Sequence, residues 1–138
     1  MSEQQRPFVG VGVIIRKEGK ILIGERLSSH GAGTFQIPGG HLEFGETFEE
    51  CAEREAKEET GLTVKVVDLI AISNDRQYEK HYVTIGMLAD WVEGDVSNPE
   101  KEHSGNWQWM DPKDIPENMF PHSKRNIDNW LSGKIYNP

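Results

Sequence analysis

The chain has 138 residues, a formal net charge of −8 and a single cysteine, Cys51. This length suits one compact domain over residues 1–138, and one cysteine excludes an intramolecular disulfide. The acidic balance disfavours nucleic acid and anionic membranes as partners, because both attract basic surfaces. No secretory signal and no apolar run long enough to cross a bilayer is present, so a cytoplasmic protein is the default expectation.

Two strands and a glycine-rich segment are predicted first along the chain. VGVGVIIR and KILIGER are rich in apolar and β-branched residues, and Lys17-Glu18-Gly19 between them suits a tight hairpin turn. Five glycines and Pro38 interrupt residues 27–45, which predicts mostly loop apart from a short strand at residues 34–37. The chain therefore begins with a hairpin followed by a loop.

One well-delimited helix is predicted next. Thr47 with Glu50 three residues later forms a capping box, and Gly61 supplies a C-terminal stop. Two long strands, TVKVVDLIAISN and HYVTIGMLADWV, follow, and after a polar loop come a short strand at residues 107–110 and a closing helix at residues 123–131. Strands that outnumber helices around one central helix indicate an α/β fold, a mixed sheet with helices packed on it.

The predicted helix carries carboxylates on the side that should be buried. At about 100° per residue, Glu55 and Glu59 fall within its apolar face, with Arg54 and Glu58 on the flank. The usual explanation of a glutamate-rich helix is a solvent-exposed acidic face, but these residues lie on the core-facing side. Buried carboxylates stay ionised only when hydrogen bonds or cations compensate their charge. Hard oxygen ligands at this spacing suit Mg²⁺ or Mn²⁺, which also bridge to substrate phosphates. The helix therefore predicts a metal site.

These residues match a family signature. The pattern is Gly40-x5-Glu46-x7-Arg54-Glu55-Ala56-x-Glu58-Glu59-x-Gly61-Leu62. It resembles the Nudix signature, with the small Ala56 where a bulkier apolar residue is usual. The resemblance implies the Nudix fold, a mixed sheet between helices, and a metal-dependent hydrolase. It also implies that a backbone carbonyl near Gly40 joins the metal site and that Arg54 and Glu46 orient the cluster.

The resemblance implies the roles of the remaining carboxylates. Glu55, Glu58 and Glu59 would bind Mg²⁺, or Mn²⁺, and thereby support attack of water at phosphorus, a reaction that metals assist by neutralising phosphates and activating the nucleophile. A later acidic residue often completes such sites in the family. Glu102 is the first candidate for that catalytic position and Glu100 the second, and an ordinary solvated loop residue is the alternative for Glu102.

Similarity to one branch of the family predicts the substrate site. VGVGVII, the run from GAGTFQIPGG to CAERE, and HYVTI are similar to nucleoside triphosphate diphosphatases that act on thiopurine and oxidised guanine deoxynucleotides. That likeness implies that Arg26, His41 and Thr84 line a nucleotide site, and it hints at a homodimer. Gly39 and Gly40 would bring backbone close to the phosphates. A small-molecule nucleotide is the expected partner.

Aromatic residues are candidates for stacking on a base. The four considered are Phe35, Tyr78, Trp107 and Trp109. Aromatic residues on strands more often pack in the core, and none of the four is predicted to be a site residue.

Several functions fit this pattern. The leading hypothesis is hydrolysis of nucleoside triphosphates to nucleoside monophosphate and pyrophosphate. The main rival is cleavage of ADP-ribose or nucleotide sugars, whose enzymes often carry extra N-terminal structure, whereas this chain starts its first strand near Phe8. A nucleotide-sensing domain without turnover is disfavoured by the complete glutamate cluster, and RNA cap removal by the acidic balance.

Overall fold

The first hairpin forms where the sequence predicts it. In this computed structural model, which describes residues 4–27, 31–77, 79–99 and 102–138, β1 (Phe8–Lys17) and β2 (Lys20–Arg26) pair antiparallel. Glu18 and Gly19 both have positive φ, 52° and 79°. That geometry matches the twist of the flanking strands and explains why a glycine lies in the turn.

A single mixed sheet forms the middle of the molecule. Within the described residues it has five further strands, β3 (Phe35–Gln36), β4 (Gly39–His41), β5 (Thr63–Asp75), β6 (Tyr82–Glu93) and β7 (Ser104–Met110). The strand order is β3-β2-β1-β6-β5, while β4 pairs with β1 and β7 with β2. Only β1 and β6 run parallel among these pairs. The prediction of loop at residues 39–41 was wrong, because β4 is held by long-range pairing rather than by local propensity.

Two helices flank the sheet, α1 (Phe48–Thr60) and α2 (Pro121–Ser132). The capping box predicted for α1 is present: Glu50 N donates to the Thr47 hydroxyl at 3.0 Å, and Thr47 N donates to the Glu50 carboxylate at 2.9 Å. Gly61 ends α1 in a left-handed conformation. No helix of the described residues is long and apolar enough to cross a membrane.

The two helices cover opposite faces of the sheet. Val11, Val13 and Ile15 alternate along β1 and pack in the same cluster as the apolar side of α1. Ile14, which points the other way, packs in a second cluster with Ile127 of α2. The predicted α/β arrangement, a mixed sheet between helices, is therefore confirmed.

Cys51 is part of the core beneath α1. Its side chain is fully buried, and burial raises the pKa of the thiol to about 12. The thiol is therefore neutral near physiological pH and packs as a small apolar group.

Candidate active site

A pair of glycines brings β4 against the carboxylates of α1. Gly39 pairs with Gly12 and Gly40 with Val11 in the antiparallel ladder between β4 and β1. A Cβ at Gly39 would overlap the Val11 backbone, and a Cβ at Gly40 would overlap the Glu55 carboxyl group. The neighbouring backbone therefore requires glycine at position 39, while a side chain at position 40 would displace the Glu55 carboxyl group, and neither glycine is explained by a positive φ.

Two carboxylates of α1 are buried beside this glycine pair. Glu55 is 9 % exposed and Glu59 7 % exposed, so the helix phase predicted from the sequence is confirmed. Gly39 N donates to Glu59 Oε2 at 2.7 Å. The backbone N–H of Gly39 thus helps to stabilise a buried negative charge that burial alone would disfavour.

Arg54 connects five oxygen acceptors on four residues around the site. Its Nε and Nη2 donate to the two Glu46 oxygens at 2.7 and 3.0 Å, and its Nη1 donates to Glu55 at 2.8 Å and to Glu58 at 3.1 Å. Nη2 also donates to the His41 carbonyl at 3.1 Å. The planar guanidinium can satisfy this set because its donors form a rigid fork. The predicted orienting pair, Arg54 with Glu46, is therefore in direct contact.

The same contacts shift the ionisation of both partners. The Arg54 guanidinium, followed by the backbone N–H of Glu43, holds the pKa of the Glu46 carboxyl at about 2, below its usual 4.5. Hydrogen bonding to Glu46 raises the pKa of Arg54 in turn. Both groups stay charged across the physiological range.

The pH dependence of stability provides a test of this pair. Because the pKa of Glu46 is lowered in the folded state, its stabilising effect is present above 4.5 and is lost as pH falls towards about 2. We expect the difference in free energy of unfolding between wild type and Glu46→Gln to be largest near neutral pH and to close over that window. Urea unfolding at several pH values measures it, with the exposed Glu49→Gln as control. A difference that stays constant with pH would refute the assignment.

The donor set fits a hard divalent cation. Two buried carboxylates, Glu55 and Glu59, lie on consecutive turns, with the exposed Glu58 beside them and the Gly40 backbone against Glu55. In the described residues, no three acidic, histidine or cysteine side chains converge as a ready-made metal group. Arg54 holds Glu55 and Glu58. Oxygen ligands of this kind are those that Mg²⁺ prefers.

A cavity of about 250 Å³ lies beside the glycine pair. All five residues predicted to bind substrate line it, namely Arg26, Gly39, Gly40, His41 and Thr84. Glu102 is exposed in the turn before β7 and is not among the lining residues, while Glu100 lies outside the described residues. The structure therefore brings together the predicted substrate residues and the helix carboxylates, but it does not join Glu102 to the cavity.

A row of rings forms one wall of this cavity. The His122 ring lies 4.6 Å from that of Phe120 and 5.4 Å from that of Tyr82, measured between centroids. The Tyr82 hydroxyl is hydrogen-bonded to His41 Nε2 at 2.7 Å, and Phe8 stacks on the His41 ring at 5.5 Å. Burial lowers the pKa of His122, which favours the neutral ring. The wall is thus aromatic, with a polar edge at His41.

The aromatic residues considered in the sequence occupy other places. Trp107 is buried against Gly24, and Trp109 and Phe35 pack at the two core clusters. Tyr78 lies outside the described residues. Tyr82 could have been found from the sequence, because it lies two residues before Thr84 on the same strand and so faces the same way. Phe120 and His122 depend on the docking of α2, for which no local pattern exists.

Comparison with known proteins finds a matching family model, similar sequences and similar structures. The NUDIX domain family model matches residues 6–131. An ADP-ribose pyrophosphatase of Methanocaldococcus jannaschii is 35% identical over 131 residues, covering 92% of this chain and 76% of that protein. An RNA pyrophosphohydrolase of Erythrobacter litoralis is 25% identical over 138 residues, covering 86% and 84%. The crystal structure of a MutT NUDIX hydrolase from Burkholderia pseudomallei matches with a TM-score of 0.83 and 25% identity, covering 91% of this chain and 98% of that one.

Proposed function

The chain belongs to the NUDIX domain family, and from that premise we propose that it hydrolyses nucleoside triphosphates to a nucleoside monophosphate and pyrophosphate. One observation carries the proposal. Gly39 and Gly40 line the cavity and also lie against the α1 carboxylates, since Gly39 N donates to Glu59 and Gly40 lies beside the Glu55 carboxyl group. A phosphate chain that extends from the cavity along the glycine pair would therefore lie near these carboxylates.

The α1 carboxylates are the groups that hold the metal in this proposal. Glu55, Glu58 and Glu59 would hold Mg²⁺ together with the Gly40 backbone, and Arg54 keeps Glu55 and Glu58 oriented. A bound Mg²⁺ supplies neutralisation of the phosphates and activation of water for attack at phosphorus. Water adds at one phosphorus as the anhydride P–O bond to the neighbouring phosphate breaks, so that nucleoside monophosphate and pyrophosphate form and no covalent enzyme intermediate is needed.

The cavity binds and orients the nucleoside end. Arg26, whose guanidinium lies over the Phe120 ring at 3.8 Å and donates to Gln36 at 2.8 Å, is held in a fixed position at the wall. Lys80 and His41 lie at the same cavity and are suited to phosphate contacts. The rings of Tyr82, Phe120 and His122 offer faces on which a base stacks. Glu102, which is exposed, is proposed as the acidic residue from a later loop that would complete the catalytic site.

ADP-ribose is the second candidate substrate. The observation that favours it is the relative from Methanocaldococcus jannaschii, named an ADP-ribose pyrophosphatase. Both substrates present a nucleoside and a phosphoanhydride, so the same glycine pair and carboxylates would serve either. They differ in the group attached to the second phosphate, which is a terminal phosphate in one and a ribose in the other.

A substrate panel separates these candidates. Purified protein with Mg²⁺ is given nucleoside triphosphates with ordinary and oxidised bases, ADP-ribose, a nucleotide sugar and an RNA with a 5′-triphosphate, and the products are resolved by chromatography. We expect the highest kcat/KM for a nucleoside triphosphate, with monophosphate and pyrophosphate as products. A higher kcat/KM for ADP-ribose or for the RNA would show that this compound, and not a nucleoside triphosphate, is the preferred substrate. Binding without turnover would indicate a nucleotide sensor instead of an enzyme.

Tyr82 provides a prediction about substrate positioning. We expect Tyr82→Phe to raise KM about fivefold and to change kcat less than about twofold, because His41 loses a hydrogen bond worth about 1 kcal/mol while the ring packing stays. Steady-state kinetics on the best substrate of the panel measures both constants. A fall in kcat at unchanged KM would contradict a binding role for the pair of Tyr82 and His41.

A further inference from the structure

A second cavity, of about 610 Å³, adjoins the cavity beside the glycine pair. Gln77 lines both of them, so the two cavities share a wall. The rest of its lining comes from the end of β5 and the residue after it, from α2 and from residues 136–138, and includes Arg76 and Arg125. Among the described residues that line it, none is acidic, although the whole chain has a net charge of −8. Positive charge is therefore concentrated at the second cavity.

Arg125 of α2 is held at the second cavity by a buried carboxylate. Its Nε lies 3.2 Å from Oδ1 of Asp75, whose side chain is fully buried. The other Asp75 oxygen accepts a hydrogen bond from the Ser73 hydroxyl at 2.8 Å. Within the described part of the chain, Arg125 forms no second ion pair. The guanidinium is thus fixed on one side, and its Nη groups are left to form a fork on an oxyanion.

Arg76 brings a second positive charge to the same cavity. It follows directly after β5, is exposed, and forms no ion pair with any other described residue. Two guanidinium groups at one cavity repel each other, and an anion bound between them replaces this repulsion by two attractive contacts. An anionic ligand is therefore favoured over a neutral one.

The C-terminal residues form a fixed wall of the second cavity. Asn129 of α2 is 3 % exposed, donates to the Ile135 carbonyl at 3.0 Å and accepts a hydrogen bond from the Asn137 amide at 2.6 Å. Ile72 N of β5 donates to the same carbonyl at 2.9 Å. Asn137 lines the cavity and is thereby held in place. The cavity is shaped before a ligand arrives, which lowers the cost of binding.

A series of contacts leads from the glycine pair to the second cavity. His41, next to the glycine pair, is hydrogen-bonded to Tyr82, whose ring lies 5.4 Å from that of His122. The pKa of His122 is lowered mainly by burial, is raised by Asp75 and is lowered further by Arg125, so this ion pair lies near the ring. A nucleotide whose phosphate chain lies at the glycine pair would therefore present its nucleoside end to the second cavity.

We propose that Arg76 and Arg125 form a second anion subsite, which binds a phosphate group carried by the ribose of the substrate. The ligand class is a nucleotide with a further phosphate on its 2′ or 3′ oxygen, either as a monoester or as the diester to a following nucleotide. The proposal deepens the proposed function and rests on it for the placement of the hydrolysed phosphates at the α1 carboxylates. Charge-assisted hydrogen bonds from two guanidinium groups hold the additional phosphate.

Binding of matched nucleotides tests the subsite without requiring turnover. Calorimetry with Mg²⁺ present compares adenosine and guanosine 5′-monophosphates with their 2′,5′- and 3′,5′-bisphosphates and with the 5′-phosphorylated dinucleotide of each base, none of which contains a phosphoanhydride. We expect wild type to bind at least one bisphosphate or dinucleotide about tenfold more tightly than the matching monophosphate. Arg76→Gln and Arg125→Gln are each expected to reduce that ratio to below about threefold and to leave the monophosphate affinity within about twofold of wild type.

Arg16→Gln is the matched control for these variants. Arg16 is also paired with an aspartate, Asp90, but it lines neither cavity, so this variant should keep the wild-type ratio. Arg125→Gln removes the partner of the buried Asp75 and thereby lowers stability. Arg76→Gln changes an exposed side chain outside any ion pair of the described residues, so it should not lower the melting temperature. It therefore carries the test if Arg125→Gln does not fold.

The outcomes for the subsite and for the proposed function are distinct. A ratio near one in wild type, a ratio unchanged in Arg76→Gln, or no binding of any of these ligands would overturn the subsite. Tighter binding of a bisphosphate than of the dinucleotide assigns the subsite to a monoester, and the reverse order assigns it to a diester. Hydrolysis of adenosine and guanosine triphosphates is measured in parallel. Hydrolysis without the binding preference overturns the subsite alone, whereas the preference without any hydrolysis supports the subsite and overturns the triphosphatase activity.

Discussion

Replacing Glu59 by glutamine is expected to lower kcat for Mg²⁺-dependent hydrolysis on the order of 10³-fold. Glu59 is 7 % exposed and accepts a hydrogen bond from Gly39 N at 2.7 Å, so its carboxylate is held against the glycine pair. Glutamine keeps the size of the side chain but removes the negative charge and one of the two oxygens that are proposed to bind the metal. The transition state then loses the charge stabilisation that the metal supplies.

The control for this variant lies on the same helix. Glu49 is exposed in the first turn of α1, so Glu49→Gln makes the same chemical change at a solvent-exposed position. We expect its kcat to stay within about twofold of wild type, and both variants to show the circular dichroism spectrum of a folded protein. Equal kcat values for Glu59→Gln and Glu49→Gln would show that Glu59 takes no part in the reaction.

Replacing Arg54 by methionine is expected to have the largest effect on stability. Four carboxylates surround the guanidinium, those of Glu43, Glu46, Glu55 and Glu58. Without the positive charge they repel one another, and the partly buried members lose their partner. We expect the free energy of unfolding to fall by about 2 kcal/mol, between the values for exposed and for buried ion pairs. Urea unfolding near neutral pH measures the loss.

A surface pair provides the comparison for Arg54. Arg16 is bonded to Asp90 at 2.9 Å, and both side chains are substantially exposed, 40% and 49%. Arg16→Met should therefore cost less than about 1 kcal/mol. Arg54→Lys retains the charge without the planar fork and should fall between the two. A loss for Arg54→Met no larger than that for Arg16→Met would show that the guanidinium does not organise the acidic cluster.

Features set by local chemistry could be predicted from the sequence. The capping box of Thr47 and Glu50 and the left-handed Gly61 fixed both ends of α1, and helix periodicity alone placed Glu55 and Glu59 on the buried side. The two long strands followed from their β-branched composition. In each case, the information lies within a few residues of the feature that it determines.

Features set by contacts between distant segments could not be predicted. β4 consists of Gly39–His41, a sequence with poor strand propensity that pairs because β1 lies beside it. Asn126 is a polar residue of α2 whose amide fits against the sheet only because glycines lie at two positions far away along the chain, Gly12 and Gly86. The aromatic wall of the cavity likewise combines Tyr82 from β6 with Phe120, which directly precedes α2. Sequence patterns place such residues on elements, but only docking of the elements places them at one cavity.

Binding of Mn²⁺ tests the central claim, that the carboxylates of α1 hold the metal at which the anhydride is cleaved. Free Mn²⁺ is measured by electron paramagnetic resonance during titration of wild type, Glu55→Gln, Glu59→Gln and Glu49→Gln. We predict that wild type and Glu49→Gln bind Mn²⁺ with the same affinity, and that Glu55→Gln and Glu59→Gln bind it at least about tenfold more weakly. The same affinity in all four proteins would contradict the account.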